Sequence, residues 1–174
     1  MRLQKQTYLL NKPICYPDAG GRNDGARMDI NDLRAKAESG STPVQAVLGI
    51  CLLEGIDCAA DYREAFRWLS AATERGAARA MAHLGTMYER GLAVAADARR
   101  ARELYEGAAN RGEFLACVWL ARLLARAGDG VPDKEGALRW YRAALSQASL
   151  VQDSPELEEA RSYVEAHSGS EHAG

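Results

Sequence analysis

The stretch from Ala78 to Gly112, ARAMAHLGTMYERGLAVAADARRARELYEGAANRG, decides the fold of this 174-residue chain. Ala80, Leu84 and Tyr88 recur every four residues, so they share one face of a helix with 3.6 residues per turn. This spacing predicts a first helix from near Arg79 to a stop at Gly91. Gly85 sits inside that helix, where glycine costs roughly 1 kcal/mol relative to alanine. The expected reason is a neighbouring helix backbone too close for a Cβ. Asp97 is a good N-cap for a second helix, because its carboxylate can accept from unpaired backbone N–H groups. Ala101, Leu104, Tyr105 and Ala108 form the apolar stripe of that helix. Arg111 in the last turn suits the helix dipole, and Gly112 supplies a left-handed C′ position. Two helices this short cannot bury their faces alone.

Their neighbours lie in the same sequence. Thirty-six residues upstream, Leu48-Gly49, Gly55, Asp61, Ala65, Trp68, Ala72 and Gly76 take the places of Leu84-Gly85, Gly91, Asp97, Ala101, Leu104, Ala108 and Gly112. Asp61 and Glu64 have the spacing of a capping box. Thirty-six residues downstream the pattern returns more weakly, as Ala116, Leu120, Leu124, Asp133, Ala137, Trp140-Tyr141 and Ala144. There Ala121 replaces the inner glycine, and Ala127 and Ala148 replace the terminal ones. The turn is rewritten as Gly128-Asp129-Gly130-Val131-Pro132. A fixed period between twenty and fifty residues marks a solenoid. The repeats are expected over 41–76, 77–112 and 113–148.

The pattern A-x-x-x-L-G-x-x-Y-x-x-G, then D-x-x-x-A-x-x-W/L-Y-x-x-A, then G resembles the Sel-one-like repeat, a branch of the tetratricopeptide-like helical repeats. It is clearest at Ala80, Leu84, Gly85, Tyr88, Gly91, Asp97, Ala101, Tyr105, Ala108 and Gly112, and it covers about residues 41 to 148. The resemblance implies an all-α, right-handed superhelix that serves as an adaptor or scaffold for protein partners. The resemblance says little else about function, and the residues themselves lead us to expect no cofactor and no catalytic residue.

Outside the repeats, residues 29–40 read as a lone cap helix with Ile30, Leu33 and Ala37 on its apolar face. Ser154-Pro155-Glu156 opens a last helix over 154–166, with serine as N-cap and proline at the first helical position. Leu157, Ala160 and Val164 are expected to cover the third repeat while Glu156, Glu158 and Glu159 face water. Residues 168–174 read as a frayed tail. Residues 1–28 read as a flexible leader, with a start at Met28 as one possibility. The sharper alternative docks Tyr8 to Tyr16 as an extended peptide in a groove. No apolar run is long enough for a signal peptide or a membrane span.

Charge and cysteine usage narrow the classes. The net charge is −2, with residues 149–174 carrying one arginine against six acids. Arg99, Arg100 and Arg102 cluster at the start of a second helix, the one candidate for nucleic acid, but Asp97, Glu103 and Glu106 interleave them. A nucleic-acid stripe should be basic overall. Cys15, Cys51, Cys58 and Cys117 form no CxxC pair. Cys51 and Cys58 face the same turn, yet free thiols in a reducing cytoplasm are the expected state. His83, His167 and His172 give no metal-ligand pair, and no P-loop, Ser-x-x-Lys or Gly-x-Ser-x-Gly pattern is present. The recurring Asp61, Asp97 and Asp133 are read as caps rather than catalytic acids.

Function is therefore expected on the surface. First helices of stacked hairpins line the concave side. Their positions outside the core stripe are Val47, Ile50 and Glu54, then His83, Thr86 and Arg90, then Trp119, Arg122 and Arg126. Tryptophan and arginine are enriched at interface hot spots, and arginine forks grip carboxylates. The expected partner is a protein or an extended acidic or carboxylate-ended peptide. The plainer reading packs Trp119 between adjacent first helices with the arginines draped over it. Self-association through the array's ends, and a small hydrolase-like or regulatory protein with a site at Cys15 or Tyr16, are the other expectations.

Overall fold

The computed structural model describes residues 29–126, 130, 132–147 and 154–168. They form helices α1 (Ile30–Glu38), α2 (Thr42–Glu54), α3 (Tyr62–Glu74), α4 (Ala78–Arg90), α5 (Ala98–Ala109), α6 (Phe114–Ala125), α7 (Lys134–Leu145) and α8 (Pro155–His167). No strand occurs among the described residues. The leader, the tail beyond Ser168 and most of the 128–132 turn lie outside them.

Each helix packs on the next in sequence, so α2–α3, α4–α5 and α6–α7 are hairpins and α1 and α8 flank them. The first helices also touch in a row, α2 on α4, α4 on α6 and α6 on α8. This is an all-α helical repeat solenoid whose first helices form one contiguous row. Leu48, Leu84 and Leu120, one per hairpin, are all buried. Each such side chain contributes about 1.5–3 kcal/mol.

The joints repeat at the level of backbone atoms. Asp61, Asp97 and Asp133 donate their N–H groups to the carbonyls of Leu52, Tyr88 and Leu124 at 2.9–3.0 Å. Their carboxylates then accept from the N–H groups of Glu64, Arg100 and Gly136, capping α3, α5 and α7. The capping box expected at Asp61 does not form. The Asp61 N–H is already taken by Leu52, and the Glu64 carboxylate instead receives Arg34 at 3.0 and 2.8 Å and the Trp68 indole at 3.2 Å. Gly55 and Gly91 end α2 and α4 with φ of 68° each, a conformation that glycine adopts without strain.

The inner glycines have a different cause from the one the sequence suggests. A Cβ on Gly85 would lie 2.6 Å from Cε1 of Tyr105, and one on Gly49 would lie 2.7 Å from Cγ of Leu69. The occupant of the space is thus chiefly a side chain of the hairpin's own second helix, not a backbone. At the third hairpin Ala121 is fully buried beside α7.

The last helix also departs from expectation. Leu157 and Ala160 are buried and Val164 packs on the core. Glu158 is exposed, but Glu159 turns inward. Its carboxylate accepts Arg122 Nε at 3.1 Å, Arg122 Nη2 at 2.5 Å and the Tyr141 hydroxyl at 2.7 Å. The buried Tyr141 hydroxyl on α7 and the half-exposed Arg122 guanidinium on α6 give it fixed donors in place of water on that side.

Candidate functional site

α6 touches α4, α5, α7 and α8, so apolar side chains cover most of its circumference. Arg122 in its last turn and Arg126 at its C-cap are the polar interruptions at this end. They open onto a groove of about 300 Å³ between the first helices. Its lining is Glu54 from α2, Thr86, Glu89 and Arg90 from α4, Tyr105 from α5, and Trp119, Arg122 and Arg126 from α6.

Six of the nine residues singled out in the sequence line this groove: Glu54, Thr86, Arg90, Trp119, Arg122 and Arg126; Val47 is half-buried and packs against the core instead. Ile50 and His83 must be corrected. Ile50 is 4% exposed and belongs to the core, and His83 is 6% exposed behind the groove wall. A first helix with neighbours on three sides buries more of its circumference than an isolated hairpin does. Sequence reasoning missed Glu89 and Tyr105. Glu89 sits beside Arg90 on the outer turn of α4, where spacing alone gives no sign that it points along the groove. The apolar spacing of α5 places Tyr105 in the core, which it also joins.

The aromatic floor is fixed from below. Trp119 meets His83 edge-on, with centroids 5.2 Å apart, and lies tilted on Tyr105 at 5.9 Å. The Trp119 ring packs on the core, as the plainer reading has it, and also lines the groove. Both ring nitrogens of His83 are buried without a hydrogen-bond partner. That burial, with Arg79 adding to it, pushes the imidazole down to about 3, so it is neutral. The Thr86 hydroxyl donates to the His83 carbonyl at 2.7 Å.

The charges are paired inside the molecule. Arg126 forms an ion pair with Glu89, whose carboxylate also accepts the Tyr105 hydroxyl at 2.6 Å. Arg122 is held by Glu159 as described. Burial raises the Glu159 carboxyl, but the hydrogen bonds from Arg122 and Tyr141 outweigh it and hold the group below the usual range. Burial pushes the Tyr105 and Tyr141 phenols up, so both remain donors. Glu54 lies at an exposed position, yet the side chains around it desolvate its carboxylate and raise it, with Arg90 opposing the rise. Arg90 forms no ion pair among the described residues.

Other candidates lie elsewhere. On α5, Arg100 pairs with Glu103 at 2.7 Å and Arg102 with Glu106 at 2.9 Å, so the helix's own acids neutralise them. Cys51, Cys58 and Cys117 carry free thiols; burial, with Cys58 and Asp57 nearby, pushes Cys51 up to about 11. Among the described residues no three His, Cys, Asp or Glu side chains gather as for a metal, and no helix is long and apolar enough to cross a membrane.

A family model of the Sel1 repeat matches residues 43–76, 78–113 and 115–149. The chain belongs to the Sel1 repeat family. Sel1 repeat proteins generally mediate protein–protein interactions and are typically non-catalytic scaffolds. This Sel1 repeat chain is similar in structure to a Sel1 repeat protein from Oxalobacter formigenes, with TM-score 0.65 and 27% identity over 78% of this chain and 60% of that one. It is similar to c5321, a protective antigen of uropathogenic Escherichia coli strains with an SLR fold, with TM-score 0.63 and 30% identity over 69% of this chain and 26% of that one. It thus spans less than two thirds of either protein. Helicobacter pylori cysteine rich protein B shares the fold, with TM-score 0.59 at 21% identity over 78% of this chain and 96% of that one. No curated protein sequence matches the chain.

Proposed function

We propose that this Sel1 repeat chain is a non-catalytic adaptor that binds a protein or peptide partner along the inner face of its first helices. One observation carries the reading: a groove spanning three first helices, with Trp119 in its lining and Arg90, Arg122 and Arg126 around it. Residues of these types dominate binding energy at interfaces. The groove walls are helices packed on both sides, so the receptor loses little conformational freedom when a partner enters. The pairings inside the groove are arginine to glutamate and tyrosine to glutamate, which fix geometry and activate no nucleophile. A reducing cytoplasmic setting is part of the reading and agrees with the three unbridged thiols.

The test is affinity capture with the immobilised full chain, comparing wild type, Trp119→Ala, Arg126→Glu and the outer-row variant Arg99→Glu. The groove variants should lose co-purifying protein that Arg99→Glu retains. Equal capture by all four chains overturns the inner-face assignment.

A further inference from the structure

We propose that the groove selects a partner segment carrying an oxyanion on a side chain, a carboxylate or a phosphate, and that Arg90 is the residue that takes it. The proposal rests on the inner-face reading and names the chemistry of its partner.

Depth and uncommitted donors set the preference of the groove. By formal charge the site is balanced, since Glu54, Glu89 and Glu159 match Arg90, Arg122 and Arg126. By exposure it is not. The Arg122 and Arg126 side chains are 41% and 53% exposed, whereas their partners Glu159 and Glu89 are 34% and 20% exposed. The two carboxylates are drawn inward by the hydroxyls of Tyr141 and Tyr105. At these two pairs an approaching partner therefore meets guanidinium before carboxylate. Each guanidinium has five N–H donors. Arg122 uses Nε and Nη2 on Glu159, which leaves its Nη1 edge for a second acceptor.

Arg90 goes further, because it is exposed and forms no ion pair among the described residues. Its opposing charge is Glu54, which is not held by any tyrosine. A charge-assisted hydrogen bond in a partly buried groove is stronger than one in open water. Trp119 offers apolar surface beside these donors. The matching ligand is an extended segment with an anionic residue next to an apolar one.

Fluorescence anisotropy on the full chain tests this with three capped, labelled hexapeptides: alternating glutamate and leucine, phosphoserine and leucine, and glutamine and leucine. The anionic peptides should bind, and the glutamine peptide should bind roughly tenfold or more weakly. Whichever anionic peptide binds tighter identifies the oxyanion. Arg90→Gln should lose roughly tenfold, Glu54→Gln should bind the anionic peptides more tightly, and Arg99→Gln should match wild type. Equal binding of the glutamine and glutamate peptides, or an Arg90→Gln chain that behaves like Arg99→Gln, overturns the proposal. If capture still depends on Trp119 in that case, the inner-face reading survives alone. If capture ignores Trp119, both fall.

Discussion

At Gly85 a single added methyl would land 2.6 Å from a Tyr105 ring whose hydroxyl is tied to Glu89. Overpacking of this kind costs about 1–3 kcal/mol, and alanine's better helix propensity returns roughly 1. A strained Tyr105–Glu89 hydrogen bond adds about 1 more. Gly85→Ala should therefore lower Tm by roughly 5 °C in a thermal melt, and an unchanged or higher Tm would refute the close packing. His83 supplies a second residue-scale expectation. Its folded pKa, near 3, lies below the unfolded value of 6.5, so the unfolded chain binds the extra proton between them. Stability is then present above 6.5 and falls as pH drops toward 3, by on the order of 1.4 kcal/mol per pH unit. Glu54, with its raised carboxyl, works in the opposite sense at the acid end. His83→Phe should flatten the fall in Tm between pH 6.5 and 5; an identical slope in both chains would rule out His83 as its source. At this scale the sequence was only partly readable. Glycine period announced a close approach but not that a tyrosine ring fills the space. Apolar spacing marked the inner positions, yet it could not tell Ile50 and His83, which a third neighbouring helix covers, from Thr86 and Arg90, which it does not.

Helices were the most legible level, because their signals are local. Asp97 sits before an apolar stripe and Gly91 and Gly112 mark two ends; each does in the fold what its chemistry suggests. Asp97→Ala should cost about 1 kcal/mol in urea unfolding, and Asp97→Ser most of that should be recovered. No difference between the two variants would mean the cap contributes nothing. Capping boxes and exposed acids were harder to read. A local rule turns Glu64 back to the Asp61 N–H and Glu159 out to water, but an arginine from another helix reaches each, Arg34 in one case and Arg122 in the other. Partners 30 and 37 residues away leave no trace in a window of one helix. The Arg–Glu pairs of the groove were invisible for the same reason.

For the molecule as a whole, stability runs from neighbour to neighbour, since each helix packs chiefly on the next in sequence and each first helix also touches the following first helix. Removing residues 154–174 uncovers the faces of α6 and α7 that Leu157 and Ala160 bury. The shortened chain should unfold at lower urea and associate as concentration rises, which sedimentation velocity would reveal. A monomer as stable as the full chain would show that α8 is not a cap.

The bonds from Asp61 to Leu52, Asp97 to Tyr88 and Asp133 to Leu124 run between main-chain atoms alone. Any residue other than proline can stand at the donor end, and any residue at all at the acceptor end. This fastening of each hairpin, unlike its aspartate cap, is thus independent of the letters that spell it. A hairpin duplicated in the gene and spliced in after Gly76 brings its own fastening with it, so the array can lengthen by copying while each copy drifts to suit a new partner.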